Sequence, residues 1–284
     1  YHGWHDWYLS ANLQSEQNLD GHLLSGLSTA GVPASLAGTV LPFNYNDFSG
    51  LEQLVSEHDI GVIKMEVIRN MGPDDNFLHK VRKLASERNI VLIFDECTSG
   101  FRYNLGGLHL TTKVNPDIAM FGKAIGNGYA ISAVIGKKKI MDKAIKSFIS
   151  STFWTERIGP TAGLKTLEVM ERIKSWEIIT DAGNSIREEW LKLSTKYELP
   201  IEINGILPIS TFSFNSQSNN EYKTYITQEM LKKGFLANTS FYACIDHSNK
   251  IIKKYSESLE SIFYEISDCE KGNKSIHELL ETSP

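Results

Sequence analysis

The chain has 284 residues, 41% of them hydrophobic and 22% charged, and 29 Lys and Arg against 34 Asp and Glu leave a formal net charge of −5. That is a globular composition with enough apolar material for a sizeable core, not a disordered or low-complexity one. Mild acidity speaks against nucleic acid, whose phosphates call for a basic face, and no apolar run approaches the ~20 residues of a membrane span.

Three cysteines, Cys97, Cys244 and Cys269, are too few and too scattered for a disulfide framework or a zinc site, so no metal is expected. With no signal peptide in the sequence, the expected compartment is the reducing cytoplasm. The opening Tyr1-His2-Gly3 has no initiating Met, which leads to the expectation of a fragment or a trimmed product.

In chain order, the first thirty residues are aromatic, polar and Gly-rich and predict loop with short helical pieces. Residues 39–43 read as a short strand stopped by the turn-formers Asn44, Asn46 and Asp47. Leu51, Leu54 and Val55 have the i, i+3, i+4 spacing of an amphipathic helix. Residues 60–68 predict a second strand. Pro73-Asp74-Asp75 then opens a helix with acidic residues in its first turn and Phe77, Val81, Leu84 and Ala85 on one face.

Residues 90–94, Ile-Val-Leu-Ile-Phe, form the near-continuous apolar run of a parallel strand buried on both faces. Residues 118–121 and 131–135 predict two more strands. Strands alternating with helices imply an α/β layer with a mostly parallel sheet flanked by helices.

A long helix is predicted from Ile158 towards Tyr197, with Leu164, Leu167, Met170 and Ile173 along one side. Beyond Pro200 come a strand over 206–214, a helix over 221–233 and a helical tail over 249–269. The expected organisation is a large α/β domain over residues 1–157, then the long interdomain helix and a smaller α+β domain over residues 158–284. No internal repeat is visible.

The chemistry concentrates at two strand ends. Asp95-Glu96 follows the buried run directly, and open α/β sheets bind ligands outside the carboxyl ends of their strands. A carboxylate there is functional, or else an ion-pair or cap residue. Phe121-Gly122-Lys123 ends another strand, and Gly126-Asn127-Gly128 follows at once. A lysine at the mouth of a sheet among glycines can be desolvated and closely approached by a ligand, or it is a plain surface lysine. Together, Asp95 and Lys123 are the two groups that pyridoxal phosphate chemistry needs. An amine forms the Schiff base, and a carboxylate pairs with the protonated ring nitrogen.

These segments resemble the class III, fold-type-I pyridoxal phosphate aminotransferases, in particular the glutamate-1-semialdehyde aminomutase-like members. Asp95 to Arg102 (Asp-Glu-Cys-Thr-Ser-Gly-Phe-Arg) resembles their strand-end signature, and Phe121 to Gly128 their cofactor-lysine segment. Tyr1-His2-Gly3 resembles their aromatic-His-Gly loop, and residues 66–72 their Glu-Pro loop, although Val67 stands where the family has Pro. Residues 151–156 (Ser-Thr-Phe-Trp-Thr-Glu) resemble the small-residue loop ahead of the long helix. The motifs occur in the family's order over essentially the whole chain.

The resemblance implies a pyridoxal 5'-phosphate enzyme that moves an amino group between a small amine or amino acid and a carbonyl substrate. It implies Lys123 as the Schiff-base and proton-transfer residue, and Asp95 as the partner of the ring nitrogen. Tyr1 and Cys97 would lie against the two ring faces, with His2 beside them. Thr152, with Ser151, would bind the phosphate of a neighbouring subunit, so that a homodimer shares the site. Glu66 and Asn70 would face the substrate.

The family also carries an N-terminal portion with a phosphate-cradling turn that is not in this sequence. The chain alone is therefore expected to be poorly stable or inactive. Other readings are a racemase or decarboxylase on the same scaffold, an inactive homologue or fragment acting only in dimerisation, and a nucleotide-binding α/β protein. The last is disfavoured because no GxxxxGK[ST] pattern is present.

Overall fold

A computed structural model describes every residue except Trp4, Leu23, Leu24 and Trp154. The chain opens with a helical turn, α1 (Asp6–Leu9), that runs on into a 3-10 turn at Ser10–Leu13, and reaches α2 (Phe48–Glu57) through irregular backbone. Residues 39–43, expected as a strand, form none and pair with no strand among the described residues. Asp47 caps α2 by accepting the Gly50 N–H at 2.9 Å, and Leu51 and Val55 turn inward as their spacing predicts.

The main sheet has the order β1-β2-β3-β4, with β1 (Val62–Glu66), β2 (Val91–Asp95) and β3 (Ile118–Phe121) parallel and β4 (Ala133–Gly136) antiparallel to β3. Helix α3 (Phe77–Glu87) connects β1 to β2. It starts later than Pro73-Asp74-Asp75 predicts. Asp75 and Asn76 are both left-handed, and Asn46 ties Asp74 down through its side-chain amide and carbonyl, so the acidic residues form a turn ahead of the helix. A short helix, α4 (His109–Thr112), precedes β3, and α5 (Lys138–Met141) follows β4.

Register decides which side chains meet. Ile63, Met65, Leu92, Phe94, Ala119 and Phe121 share one face, and all are buried. Lys64, Glu66, Ile93 and Asp95 share the other. Strand β2 is therefore fully buried on one side only. Val91 and Ile93 are half-buried, which departs from the both-faces expectation and leaves the second face to polar groups.

Helices α6 (Ile158–Ile173) and α7 (Ser175–Tyr197) replace the single long helix predicted from the sequence. Lys174 lies between them at φ +49°, and this one left-handed residue breaks the helix. The predicted strand over 206–214 is the second arm and turn of a hairpin. In the sheet β5-β6-β7, β5 (Ile201–Ile206) pairs antiparallel with β6 (Ile209–Phe214), which pairs antiparallel with β7 (Ser240–Tyr242).

Helices α8 (Asn219–Lys232), α9 (Asn249–Glu270) and α10 (Ile276–Leu279) complete the chain. Trp190, Phe212, Phe214, Phe263 and Leu259 centre one core, and Leu92, Phe94, Val81 and Phe77 another. The hairpin turn joins them, because Ile206 and Ile209 pack into the second core and the Leu207 N–H donates to Tyr103 Oη at 3.1 Å. No helix among the described residues is long and apolar enough to cross a membrane.

Candidate active site

Because β1, β2 and β3 are parallel, their carboxyl ends open at one edge, where Glu66, Asp95 and, two residues beyond β3, Lys123 are found. Asp95 is only 7% exposed. Its Oδ1 accepts the Cys97 N–H at 3.1 Å. Its Oδ2 accepts His2 Nδ1 at 2.8 Å and lies 3.3 Å from Lys64 Nζ. An ionised carboxylate can only accept, so the His2 proton is on Nδ1. Burial alone would raise the Asp95 pKa. The hydrogen bonds from His2 and Cys97 and the charge of Lys64 overcome it and hold the carboxyl well below its ordinary range.

The loop after Asp95 is fixed from inside. Glu96, fully buried, accepts Ser99 Oγ at 2.7 Å and the Leu108 N–H at 2.8 Å on Oε2, and the His109 N–H and Nδ1 at 2.8 and 2.7 Å on Oε1. Burial opposes its charge too, and these donors hold its pKa down. Gly100 is required by close approach. A Cβ there would come within 2.7 Å of both the Glu96 carbonyl oxygen and the Phe121 ring.

This rigid turn presents Thr98, whose Oγ1 accepts Lys123 Nζ at 2.6 Å and whose carbonyl accepts Arg102 Nε at 2.9 Å. Lys123 itself is left-handed at φ +49°, uncommon for a residue with a side chain and characteristic of functional positions. Cys97 is half-buried, and burial followed by the Asp95 charge pushes its thiol up to about 11, so it is an apolar filler and not a nucleophile.

Other residues singled out from the sequence have varied positions. Tyr1 packs edge-on against Tyr8 at 5.8 Å between ring centres. Together with His2, Glu66 and Asn70 it lines a cavity of about 940 Å³ that extends along β1 towards residues 38–45. Asp95, Cys97 and Lys123 are not among the lining residues. The cavity meets the strand-end cluster through His2 and Lys64. Glu66 is paired with Arg69 at 3.4 Å. The Asn70 carbonyl accepts the Gly205 N–H at 2.9 Å, joining the loop after β1 to the second sheet.

Ser151 and Thr152 are exposed, with the Ser151 hydroxyl accepting the Phe153 N–H at 3.2 Å, and Trp154 of the same motif lies outside the described residues. Three neighbours were not foreseen: Lys64, Trp7, whose ring lies under Lys64 Nζ at 4.9 Å, and Thr98. In the sequence Lys64 shows only as a charge between the apolar Ile63 and Met65, with nothing local to tie it to Asp95.

An amine held on a hydroxyl and a buried carboxylate held ionised, both at the carboxyl edge of a parallel sheet, fit the aldehyde and the ring nitrogen of pyridoxal phosphate. The fold agrees. The FumI protein of Sphingopyxis sp. MTA144, solved in its pyridoxal phosphate internal aldimine form, superposes with a TM-score of 0.82 at 20% identity, over 97% of this chain and 71% of that one. An omega-transaminase from Sphaerobacter thermophilus gives 0.78 at 20% identity, over 93% and 66%. The sheet thus has the architecture of these two proteins, and its carboxyl edge carries the amine and the carboxylate that pyridoxal phosphate chemistry needs.

The family model for Aminotransferase class-III matches residues 47–253, and the chain belongs to that pyridoxal phosphate-dependent family. It is 33% identical over 290 residues to glutamate-1-semialdehyde 2,1-aminomutase of Sulfolobus acidocaldarius, covering 94% of this chain and 67% of the relative. It is 30% identical over 280 residues to 3-aminobutyryl-CoA aminotransferase of Cloacimonas acidaminovorans, covering 94% and 64%. The chain spans about two thirds of the length of these relatives.

Proposed function

We propose that the protein transfers an amino group between a small amine or amino acid and a carbonyl compound, as an aminotransferase or a glutamate-1-semialdehyde-type 2,1-aminomutase. The observation that carries this is the pairing of Lys123 Nζ on Thr98 with the ionised, buried Asp95 at the same sheet edge. Pyridoxal 5'-phosphate, when bound, supplies an electrophilic aldehyde and an electron-withdrawing ring.

The chain's own residues do the rest. Lys123 Nζ would hold the aldehyde and serve to move a proton at the substrate carbon. Asp95, held in place by His2, would keep the ring nitrogen charged. Tyr1 and Cys97 would help to hold the ring. Glu66 and Asn70, on the cavity wall, bound the substrate side, where Arg69 is within reach of a substrate carboxylate if Glu66 releases it.

The test is amino transfer by the cofactor-loaded protein, with and without a keto-acid acceptor. Conversion that depends on the acceptor identifies an aminotransferase, and conversion without it an aminomutase. Loss of carbon dioxide or of stereochemistry without amino transfer overturns both.

The same reading extends to the assembly. Ile145, Phe148, Ile149, Phe153, Ile158 and Leu164 are exposed within one stretch of sequence, Phe148 to 99%. A run of this kind suits a covered surface, and a second copy of the chain laid over it would bring Ser151 and Thr152 to the phosphate of its neighbour. The free cysteines suit the reducing cytoplasm. Two domains fit the two cores. A boundary at Lys174 suits this better than one at residue 157, because Leu167 and Met170 of α6 pack with Phe121 of β3 and with Ile125 in the turn after it.

A further inference from the structure

Lys64 has no part in the reaction outlined above, yet it stands at the most consequential carboxylate in the fold. Its side chain is 15% exposed, on the strand face that also carries Glu66 and Asp95. Glu66 is engaged by Arg69, so the Lys64 charge is answered by Asp95 Oδ2 at 3.3 Å and by the Trp7 ring at 4.9 Å.

Asp95 has about four lone-pair positions. The Cys97 N–H and His2 Nδ1 use two of them, and Lys64 Nζ lies against Oδ2 as an ion pair. A protonated ring nitrogen is a further donor and a second cation at the same carboxylate. The Cys97 N–H is fixed by the backbone, and His2 sits at 2.8 Å. Lys64 has the longest contact and a flexible stem, and it lines the open cavity into which its ammonium can withdraw while staying near Trp7.

We propose that Lys64 is a positioning residue that competes with the cofactor's ring nitrogen for Asp95. The protein then holds the protonated ring less tightly than its carboxylate alone would allow. This rests on the pyridoxal phosphate reading. The competition is specific to the ring nitrogen, since the phosphate and the aldehyde are recognised elsewhere, and this makes it separable from the general effect of removing a positive charge.

The experiment compares equilibrium binding of pyridoxal 5'-phosphate with that of its 1-deaza analogue, in which C–H replaces the ring nitrogen, to wild type, Lys64→Met, Lys64→Gln and Lys64→Arg. Folding of each is checked by circular dichroism. The readout is the ratio of the two dissociation constants, deaza over natural. Loss of the charge in Lys64→Met and Lys64→Gln raises this ratio by about tenfold, whatever happens to either constant alone, and Lys64→Arg leaves it at or below the wild-type value. An unchanged ratio, even with a shifted melting temperature, means that Lys64 only neutralises Asp95 in the fold, and overturns the proposal while leaving the cofactor reading intact. Binding of neither compound by any of the proteins overturns the cofactor reading and the proposal with it.

Discussion

At the scale of single residues, the site depends on charges and backbone angles that the fold holds at a cost. Asp95 is kept ionised against burial, so its folded pKa lies below its ordinary value of about 4. Its ionised form then contributes stability above about pH 4, and this contribution fades as the pH falls below that value. Asp95→Asn leaves His2 and Lys64 facing a neutral group and costs about 3–5 kcal/mol at pH 7. The melting-temperature gap to wild type holds from pH 7 down to about 4 and narrows below it, and a gap that does not narrow there would contradict the electrostatic account.

Lys123 gives a second expectation. At φ +49° any side chain is strained and glycine is not. Lys123→Gly is therefore more stable than Lys123→Ala by about 1 kcal/mol in denaturant titrations, while both lose cofactor capture. Asp95 and Lys123 stood out in the sequence because each lies at or just beyond the end of an apolar strand. Lys64 and Thr98 did not, because their importance depends on cross-strand register and on the path of the loop after Asp95, which no local pattern encodes.

At the scale of elements, apolar periodicity located β1, β2, β3, β4 and β6 and the longer helices but missed β5, β7 and the short α4, α5 and α10, and two of the misjudgements have clear physical causes. The helix expected over residues 158–197 is two helices because Lys174 takes a left-handed angle that its residue type does not announce. Residues 39–43 have strand composition, but a strand exists only when its backbone groups find a partner, and among the described residues none pairs with it.

The contact between α7 and the hairpin turn is equally tertiary. A Cβ on Gly183 would lie 1.9 Å from the Leu207 carbonyl oxygen, so helix and turn touch backbone to backbone. Gly183→Ala forces them apart and costs about 1–3 kcal/mol, read as a lower denaturation midpoint. A variant as stable as wild type would show that the turn gives way freely.

At the scale of the whole molecule, order of motifs was the most informative feature of the sequence. Four of the five segments, each weak alone, meet at a single sheet edge, while Ser151 and Thr152 of the fifth are exposed ahead of α6. What the sequence did not show is how the parts close on one another, through the Ile206 and Ile209 turn and the Asn70 carbonyl.

The exposed apolar side chains of Ile145, Phe148, Ile149, Phe153, Ile158 and Leu164 carry an assembly prediction. Phe148→Glu, at a residue with no packing of its own in the single chain, shifts sedimentation from dimer to monomer without lowering the melting temperature of the monomer. A wild type that sediments as a monomer would contradict it.

The central claim is that Lys123 is the residue that captures the cofactor, and one measurement tests it most directly. The protein is incubated with pyridoxal 5'-phosphate and reduced with borohydride, and the modified peptide is mapped. The account predicts a visible imine absorbance band, a single pyridoxyl adduct on Lys123, and loss of both in Lys123→Ala. Adducts scattered over surface lysines, or an adduct that persists in Lys123→Ala, would contradict it.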